Sequence, residues 1–326
     1  MPIWTRVSGL SEVEISDREM NTKNTGVPLP ATQTGMRPVV KYRQSRLLGA
    51  VRQLARTRGA GFGLGVLLLI IAMALFAPSL APYEPTSVDA SAVLEPPSLA
   101  HPFGTDELGR DILSRVIWGS RVSLQVGIIS VGLALALGIP GGLLAGFIGG
   151  RIDDLLMRII DAIWSFPTMI LALAVGTAFG AGLTSSFIAV GVVFAPTVTR
   201  LVRAQTLSIR ELDYVLAARA MGAKPSRIMW QHVWPNVASP VIVQASILVA
   251  AAIILEAGLS FLGLGVQPPT PAWGSMLRAG YPFLLTSLWP SVFPGLAIFI
   301  TVLAFNLLGD GLQQALDPQL RRAKKI

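Results

Sequence analysis

Cysteine is absent from this chain of 326 residues, and charged residues are scarce at 13%. Without cysteine there are no disulfides, thiolate zinc sites, iron–sulfur clusters or cysteine nucleophiles. Soluble domains normally contain about a quarter charged residues. Because this chain has about half that share and a mean hydropathy of +0.61, it has too little polar surface to cover a water-facing body. The composition therefore predicts a membrane protein.

Residues that usually carry catalysis are also few. The two histidines are His101 and His232, and no cluster of His, Asp and Glu has the spacing of a metal site. The nucleotide-binding pattern Gly-x-x-x-x-Gly-Lys followed by Ser or Thr is absent. We therefore predict a chain that is not an enzyme and that holds no metal or cofactor of its own.

Long apolar runs occupy most of the sequence. About 20 apolar residues, each rising 1.5 Å, cross a hydrocarbon core of about 30 Å. Because backbone groups in lipid must be hydrogen-bonded within the segment, we expect helices. The sequence predicts an all-α membrane protein with about six transmembrane helices. The predicted spans are about 61–80, 122–148, 164–180, 183–199, 239–263 and 288–309.

The two ends of the chain differ from this apolar body. Residues 1–58 are polar and then basic, which predicts a largely disordered cytoplasmic tail. Residues 59–320 form the predicted transmembrane domain, and 321–326 a basic C-terminal tail. The basic stretch before the first apolar run is similar to a signal peptide. That alternative is disfavoured because the run starts some 60 residues into the chain and further spans follow it.

The distribution of basic residues predicts the orientation. Of the 26 Lys and Arg residues, 22 fall in segments 1–60, 149–163, 200–238 and 310–326, whereas residues 81–109 contain five acids and no base. Basic residues concentrate on the cytoplasmic side of membrane proteins, so both termini are expected in the cytoplasm. The net charge of +8 then faces anionic lipid headgroups, and nucleic acid is not needed to explain it.

The most informative segment is the predicted cytoplasmic loop at 206–236. We call residues 211–236 the elbow. Leu212, Val215, Leu216 and Ala220 have the spacing of one face of a short helix. Gly222 can end that helix with a positive φ, and Pro225 suits the first turn of a second helix.

Two small residues make the elbow a candidate docking surface. Ala217 and Ala218 would let a partner approach the first helix closely, and Pro235 with Asn236 would lead into the fifth span. A solvated loop that happens to be helical is the alternative, and the residues by themselves leave both open.

The spacing Ala217-Ala218-x-x-x-Gly222, followed by Pro235, resembles the EAA loop of binding-protein-dependent ABC transporter permeases. In that family the loop contains a coupling helix that sits in a groove of the cytoplasmic ATPase. Two positions depart from the family pattern, because its leading Glu is Leu216 here and its usual Ile is His232. The ATPase-coupling residues that the resemblance implies are Leu212, Val215, Ala217, Ala218, Arg219, Gly222 and Pro235.

Two other stretches, residues 101–124 and 256–276, resemble the dipeptide, oligopeptide and nickel branch of that family, in its "C" subunit type. The similarity covers roughly 60–320 and implies a type I ABC importer permease fold in the bacterial inner membrane. It also implies a second homologous permease subunit, two ATPase subunits that bind ATP and Mg, and an extracytoplasmic substrate-binding protein. Di- or oligopeptides are the expected cargo. Nickel or another small solute, and an ion-coupled secondary transporter, are the alternatives.

Three further features remain to be placed. Residues 106–121 are predicted to form an amphipathic helix on the outer interface, with Asp106 and Glu107 in its first turn, as an anchor or a gate. Residues 151–163 have the same pattern on the inner side. Glu256 is the one ionisable residue inside a predicted span, so it either serves the transport pathway or pairs with another helix or the partner subunit.

Overall fold

The structure is a computed structural model that describes residues 58–316. The predicted tails, apart from Arg58, lie outside the described residues. Within 58–316 the chain is helical, and β-pairing there is limited to an isolated bridge between Thr105 and Asp111. The prediction of an all-α fold is therefore confirmed.

Eleven α-helices are described between residues 58 and 316. They are α1 (Arg58–Leu75), α2 (Ala77–Leu80), α3 (Ile112–Ile148), α4 (Gly150–Trp164), α5 (Thr168–Phe179), α6 (Leu183–Arg210), α7 (Asp213–Ala220), α8 (Pro225–Ile228), α9 (Trp234–Phe261), α10 (Trp273–Gly280) and α11 (Trp289–Leu316). A π-helical turn, Met229–Val233, joins α8 to α9, and a 3₁₀ turn, Tyr281–Phe283, follows α10.

Four of these rods are long and apolar enough to cross a membrane: α3, α6, the rod Pro225–Phe261, and α11. Helices α4 and α5 meet at an angle of 94°, and they make a fifth span if the bent pair is counted as one. Helix α1 is apolar but shorter. The sequence predicts about six spans, and the difference arises because α1 ends at Leu75 and the predicted span 164–180 breaks at Ser165–Pro167.

The predicted interfacial helix at 106–121 is wrong as a separate element. Residues 106–110 form a loop, and α3 begins at Ile112 and continues without interruption to Ile148. Asp111 is its N-cap, with the side chain accepting a hydrogen bond from the Ser114 amide at 2.7 Å. Capping by an aspartate satisfies one of the free amides of the first turn, so the helix starts here and not at Asp106.

Glycines bring α3 and α6 into close parallel contact. A Cβ added at Gly138 would lie 2.6 Å from Val198, one at Gly142 2.6 Å from Val202, and one at Gly146 2.7 Å from Thr206. The numbers rise together along both helices, so the two rods run side by side in the same direction. Small residues allow such an approach where burial in lipid gives no preference for helix association.

The remaining helices complete a bundle with two distinct ends. Helix α9 packs on α3 through Val249 and Ile253 against Gly127, and α1 packs on α11 at Gly63. We call the end that carries residues 146–150 and the elbow the elbow end. The opposite end, which carries residues 81–121 and 257–293, is called the loop end.

Candidate functional site

The elbow begins with α7 and turns sharply at Gly222. The amide of Gly222 donates to the Arg219 carbonyl at 3.0 Å, and the amide of Ala223 donates to the Ala218 carbonyl at 3.1 Å. These two bonds form a Schellman motif, which requires a left-handed residue after the helix. Gly222 has a φ of 77°, and a Cβ there would meet no atom within 4 Å. The glycine is therefore required by backbone conformation and not by lack of space.

The side of the elbow that faces the bundle contains fewer residues than the sequence predicts. Val215 and Ala218 are buried in one apolar cluster with Ile228 and Val233. Grouping Val215 with Leu212, Leu216 and Ala220 on one face is wrong in part, because those three are exposed. Helical spacing predicts which residues lie near one another on a helix. It does not predict which of these apolar residues pack against the bundle and which stay exposed.

The outward side of the elbow carries large apolar side chains. Met221 is 82% exposed, Trp230 54%, Leu212 46% and Leu216 43%. Ala217 is exposed as well, and so is Arg219, whose guanidinium lies 5.8 Å from the centre of the Phe147 ring. Ala218 is only 5% exposed, so the prediction that both alanines face a partner is wrong for Ala218.

Pro235 lies inside one continuous rod. The sequence predicts that Pro235 and Asn236 lead from the elbow into a span, but the rod runs from Pro225 to Phe261. Proline has no amide hydrogen and would crowd an ordinary α-turn, which explains why the preceding turn is π-helical. There the amide of Trp234 donates to the Met229 carbonyl. The second half of the elbow is thus a direct extension of α9.

A polar contact also ties α7 to this rod. The Asn236 side-chain amide donates to the Tyr214 hydroxyl at 3.1 Å and to the His232 carbonyl at 2.7 Å. Partial burial raises the pKa of the Tyr214 phenol. Because α7 and the rod share this contact and the apolar cluster beneath it, the elbow is one packed unit.

The loop end contains a buried network of charges. Asp106 accepts hydrogen bonds from the Arg110 side chain at 2.7 Å and from the Arg110 and Leu108 amides, and it lies 3.3 Å from the Arg115 guanidinium. Arg115 donates to the Pro85 carbonyl at 3.0 Å. The placement of Asp106 and Glu107 in the first turn of a helix is therefore wrong. They precede α3, and Asp106 compensates buried arginines.

Glu256 lies near the loop end of α9 and is fully buried. One carboxyl oxygen accepts a hydrogen bond from the Ser260 hydroxyl at 2.6 Å, and that hydroxyl in turn accepts from the Val266 amide at 3.1 Å. The other oxygen has no hydrogen-bond partner in the described part of the chain. Glu256 is 22 residues beyond Trp234 on one helix, about 33 Å at helical rise, so it does not join the elbow.

The described residues hold no group of three or more His, Asp or Glu side chains arranged to bind a metal ion. Sequence analysis missed the contacts of Tyr214 and Arg210 at the elbow. Arg210, at the end of α6, donates to the Gly146 carbonyl 64 positions earlier in the chain. The sequence does place a basic residue in the last turn of a predicted helix, and such a residue can donate to free backbone carbonyls. It does not indicate that the carbonyl belongs to another helix.

These features define a multi-pass helical membrane protein with a helical elbow projecting from one end. The description "binding-protein-dependent transport system inner membrane component" matches residues 138–322, and "N-terminal TM domain of oligopeptide transport permease C" matches residues 45–97. The chain belongs to the family of binding-protein-dependent transport system inner membrane components. It is accordingly a multi-pass inner membrane protein.

Relatives match most of the chain. The dipeptide transport system permease protein of Alkalihalophilus pseudofirmus is 42% identical over 83% of this chain and 90% of its own. The di/tripeptide transport system permease protein of Pseudomonas aeruginosa is 45% identical over 83% and 92%. The glutathione transport system permease protein of Pectobacterium atrosepticum is 46% identical over 78% and 85%. The resemblance stated from the motifs is therefore confirmed.

Solved structures show the same fold. Two crystal forms of the inward-facing MetNI methionine ABC transporter match with TM-scores of 0.52 and 0.53 at 19% and 20% identity. Each match covers 63% of this chain and 98% of the other. At that identity the similarity concerns the fold alone, and the fold is that of an ABC importer permease.

Proposed function

We propose that this chain forms half of the translocation pathway of an ATP-driven importer and that the elbow is the surface on which an ATPase acts. In this arrangement the elbow end and both termini are cytoplasmic, as the basic residues of the sequence predict. A second homologous permease supplies the other half of the pathway. Two ATPase subunits bind ATP and Mg, and an extracytoplasmic binding protein delivers the solute.

The observation that carries the proposal is the outward side of the elbow. Leu212, Leu216, Met221 and Trp230 expose large apolar surfaces beside the exposed Ala217 and Arg219. In the water-facing part of a protein, a patch of this kind usually marks a site where a partner binds. The second half of the elbow, from Pro225, continues into α9 without a break, so force applied to it is transmitted along one helical rod.

The substrate proposed is a di- or oligopeptide. Relatives at 42–46% identity are named for dipeptides, for di- and tripeptides and for glutathione, itself a short peptide. In the described residues, no group of His, Asp and Glu favours a nickel ion. An ion-coupled secondary transporter is disfavoured because such proteins need ionisable groups lining a cavity, whereas Glu256 is fully buried.

Glu256 is proposed to hold the end of α9 in place and not to serve the solute pathway. Its hydrogen bond to Ser260, and the bond from Val266 to the same hydroxyl, tie the end of α9 to the chain that follows it. If so, Ser260→Ala and Glu256→Gln should both lower the stability of the end of α9. Neither should change which peptides compete for uptake, because selectivity measured by competition reports the pathway and the binding protein.

The test of the coupling role is a substitution at Gly222. A valine there must adopt the left-handed conformation, which costs about 1–2 kcal/mol for an L-residue and more for a β-branched one. The turn will then open and α7 will leave its place. In proteoliposomes that contain the assembled transporter, we expect Gly222→Val to retain ATP hydrolysis and to lose most peptide uptake.

The matched control is Gly222→Asn. Asparagine tolerates the left-handed conformation, and a Cβ at this position meets no atom within 4 Å. We expect uptake close to that of the unmodified protein. Normal uptake by Gly222→Val, in protein that has inserted and assembled, would contradict the coupling role of the elbow.

A further inference from the structure

Contacts at the elbow end connect the elbow to α3 as well as to α9. Two arginines, Arg210 at the end of α6 and Arg219 on α7, contact the last turn of α3. We propose that Arg210 and Arg219 are positioning residues that carry a displacement of the elbow to the end of α3 and onward to α4. This inference rests on the proposed function of the elbow and names a further part of its mechanism.

Arg210 caps α3 from another helix. Its guanidinium donates to the Gly146 carbonyl at 2.8 Å. Because α3 ends at Ile148, that carbonyl belongs to the last turn, where carbonyls lack partners within the helix. A cation at the carboxyl end of a helix is also favoured by the helix dipole. Arg210 therefore fixes the end of α3 to the residue that leads directly into the elbow.

Arg219 makes the second contact. Its guanidinium lies 5.8 Å from the centre of the Phe147 ring, within the range of a cation–π interaction. Phe147 is half-buried and packs against the main apolar cluster, whereas Arg219 is exposed. The elbow thus contacts α3 through a side chain that reaches from α7 itself, and it does so next to the carbonyl held by Arg210.

The connection after α3 can turn as a hinge. Gly149 and Gly150 both have positive φ, 73° and 58°. Helix α4 follows at once and buries none of its residues. Its polar contacts to α6 include a pair of hydrogen bonds between Arg203 and Asp153, at 2.5 and 2.7 Å, and an ion pair between Arg200 and Asp161.

Helix α4 is joined through two left-handed glycines and buries none of its residues, so it can follow the end of α3 without unpacking a core. Of its two ion pairs with α6, that of Arg200 with Asp161 is the more exposed and can shift at small cost, whereas that of Arg203 with Asp153 is partly buried. The path therefore runs from the elbow through Arg210 and Arg219 to α3, and through Gly149 and Gly150 to α4. This path is additional to the direct connection between the second half of the elbow and α9.

The experiment is a double-mutant cycle between Arg219 and Phe147 in the assembled transporter in proteoliposomes. The quantity measured is peptide taken up per ATP hydrolysed. We expect Arg219→Gln and Phe147→Leu each to lower this ratio about two- to fivefold, the factor that corresponds to one exposed cation–π contact. The double variant should be no worse than either single variant, because both remove the same interaction.

Two controls separate this role from folding and from direct ATPase contact. Phe147→Tyr retains an aromatic face and should couple normally. Arg121→Gln removes a cation–π contact of the same kind at the loop end, where the guanidinium lies 5.1 Å from the centre of the Trp118 ring, and should also couple normally. ATPase that co-purifies in equal amount with every variant shows that assembly is intact.

For Arg210, the informative variants are Arg210→Met and Arg210→Lys. A hydrogen bond from a charged donor is lost in the first, so we expect a fall of about tenfold or more in uptake per ATP. The second keeps a cation near the carbonyl and should recover part of the ratio.

The inference fails if Arg219→Gln uncouples while Phe147→Leu does not, because Arg219 would then act on another partner. It also fails if the two effects add, or if neither variant changes the ratio. In each of these cases an ATPase still binds and drives uptake in the unmodified protein. The proposed function would fail differently, with no ATPase bound to the unmodified chain or no dependence of uptake on ATP.

Discussion

The two ends of the bundle are stabilised in different ways. At the loop end one group of charged residues, Asp106, Arg110 and Arg115, is buried and compensated within the chain. The Trp273 indole there is 1% exposed and donates to the Val116 carbonyl at 3.0 Å. At the elbow end the ion pairs are partly exposed, and large apolar side chains on the elbow face outward.

This difference concerns how each end compensates its charges. A buried ion pair is tolerated only where each charge is compensated, and the network of Asp106, Arg110 and Arg115 is compensated within the chain. On the outward side of the elbow, large apolar side chains stay exposed in the described residues, and a partner would cover them. Substitutions at the loop end should therefore act on folding, and those at the elbow end should act on coupling.

The largest effect on stability is expected from Asp106→Ala. Removal of this carboxylate leaves buried Arg115 without its ion-pair partner and Arg110 with Glu107 alone, at 2.8 Å, and breaking a buried pair costs about 3–5 kcal/mol. We expect little folded protein after detergent extraction, measured as the monodisperse fraction in size-exclusion chromatography after heating. Glu84→Ala, an exposed acid at the same end of the bundle, is the control and should behave normally. Equal yields for both would break the comparison.

A matched pair of glycine substitutions gives an intermediate effect. A Cβ at Gly274 would lie 2.5 Å from the Ala257 carbonyl oxygen and 2.6 Å from its Cα, so Gly274→Asn should destabilise by about 1–3 kcal/mol or more. The same replacement at Gly222 meets no atom and suits the left-handed φ. Thermal unfolding in detergent should therefore separate the two variants. Equal melting temperatures would mean that the loop end is not more tightly packed.

The smallest effect is expected from Asp153→Asn. The Asp153 side chain is 13% exposed and that of its partner Arg203 31%, so we expect this pair to contribute about 1 kcal/mol, the upper end of the range for exposed pairs and less than the buried network at the loop end. The change in melting temperature should therefore be slight at low salt. It should vanish near 1 M salt, where the Debye length is about 3 Å. A large effect that persists at high salt would show that this pair is as buried as the network at the loop end.

Much of the fold could be predicted from the sequence because lipid imposes a simple rule. Apolar runs of sufficient length must be helices there, and the all-α prediction follows. The start of α3 could not be predicted. Arg110 and Arg115 indicate a water-facing helix, yet both are buried because Asp106 and the Pro85 carbonyl compensate them. Such pairings join residues that are distant in sequence or that only a particular turn brings together.

In the elbow, too, only part of the structure could be predicted from the sequence. Glycine and proline indicate where the chain turns, because their backbone preferences are local. Which of Val215 and Leu216 faces the bundle depends on where Ile228 and Val233 lie, which is a tertiary property. The contact of Arg219 with Phe147, 72 positions earlier, has no local signal at all. Local residue preferences thus predict the turn, whereas tertiary packing determines which residues of the elbow are buried.

The most direct test of the account is chemical cross-linking from Met221, the most exposed of the large apolar residues on the elbow at 82%. The chain contains no cysteine, so Met221→Cys introduces a unique thiol on this subunit. In membranes that contain the assembled transporter, a thiol-directed photo-cross-linker at this position should join the chain to the ATPase subunit. Nucleotide binding should change the yield. Labelling of the same thiol by an impermeant reagent added outside intact cells, with no cross-link to an ATPase, would contradict the account.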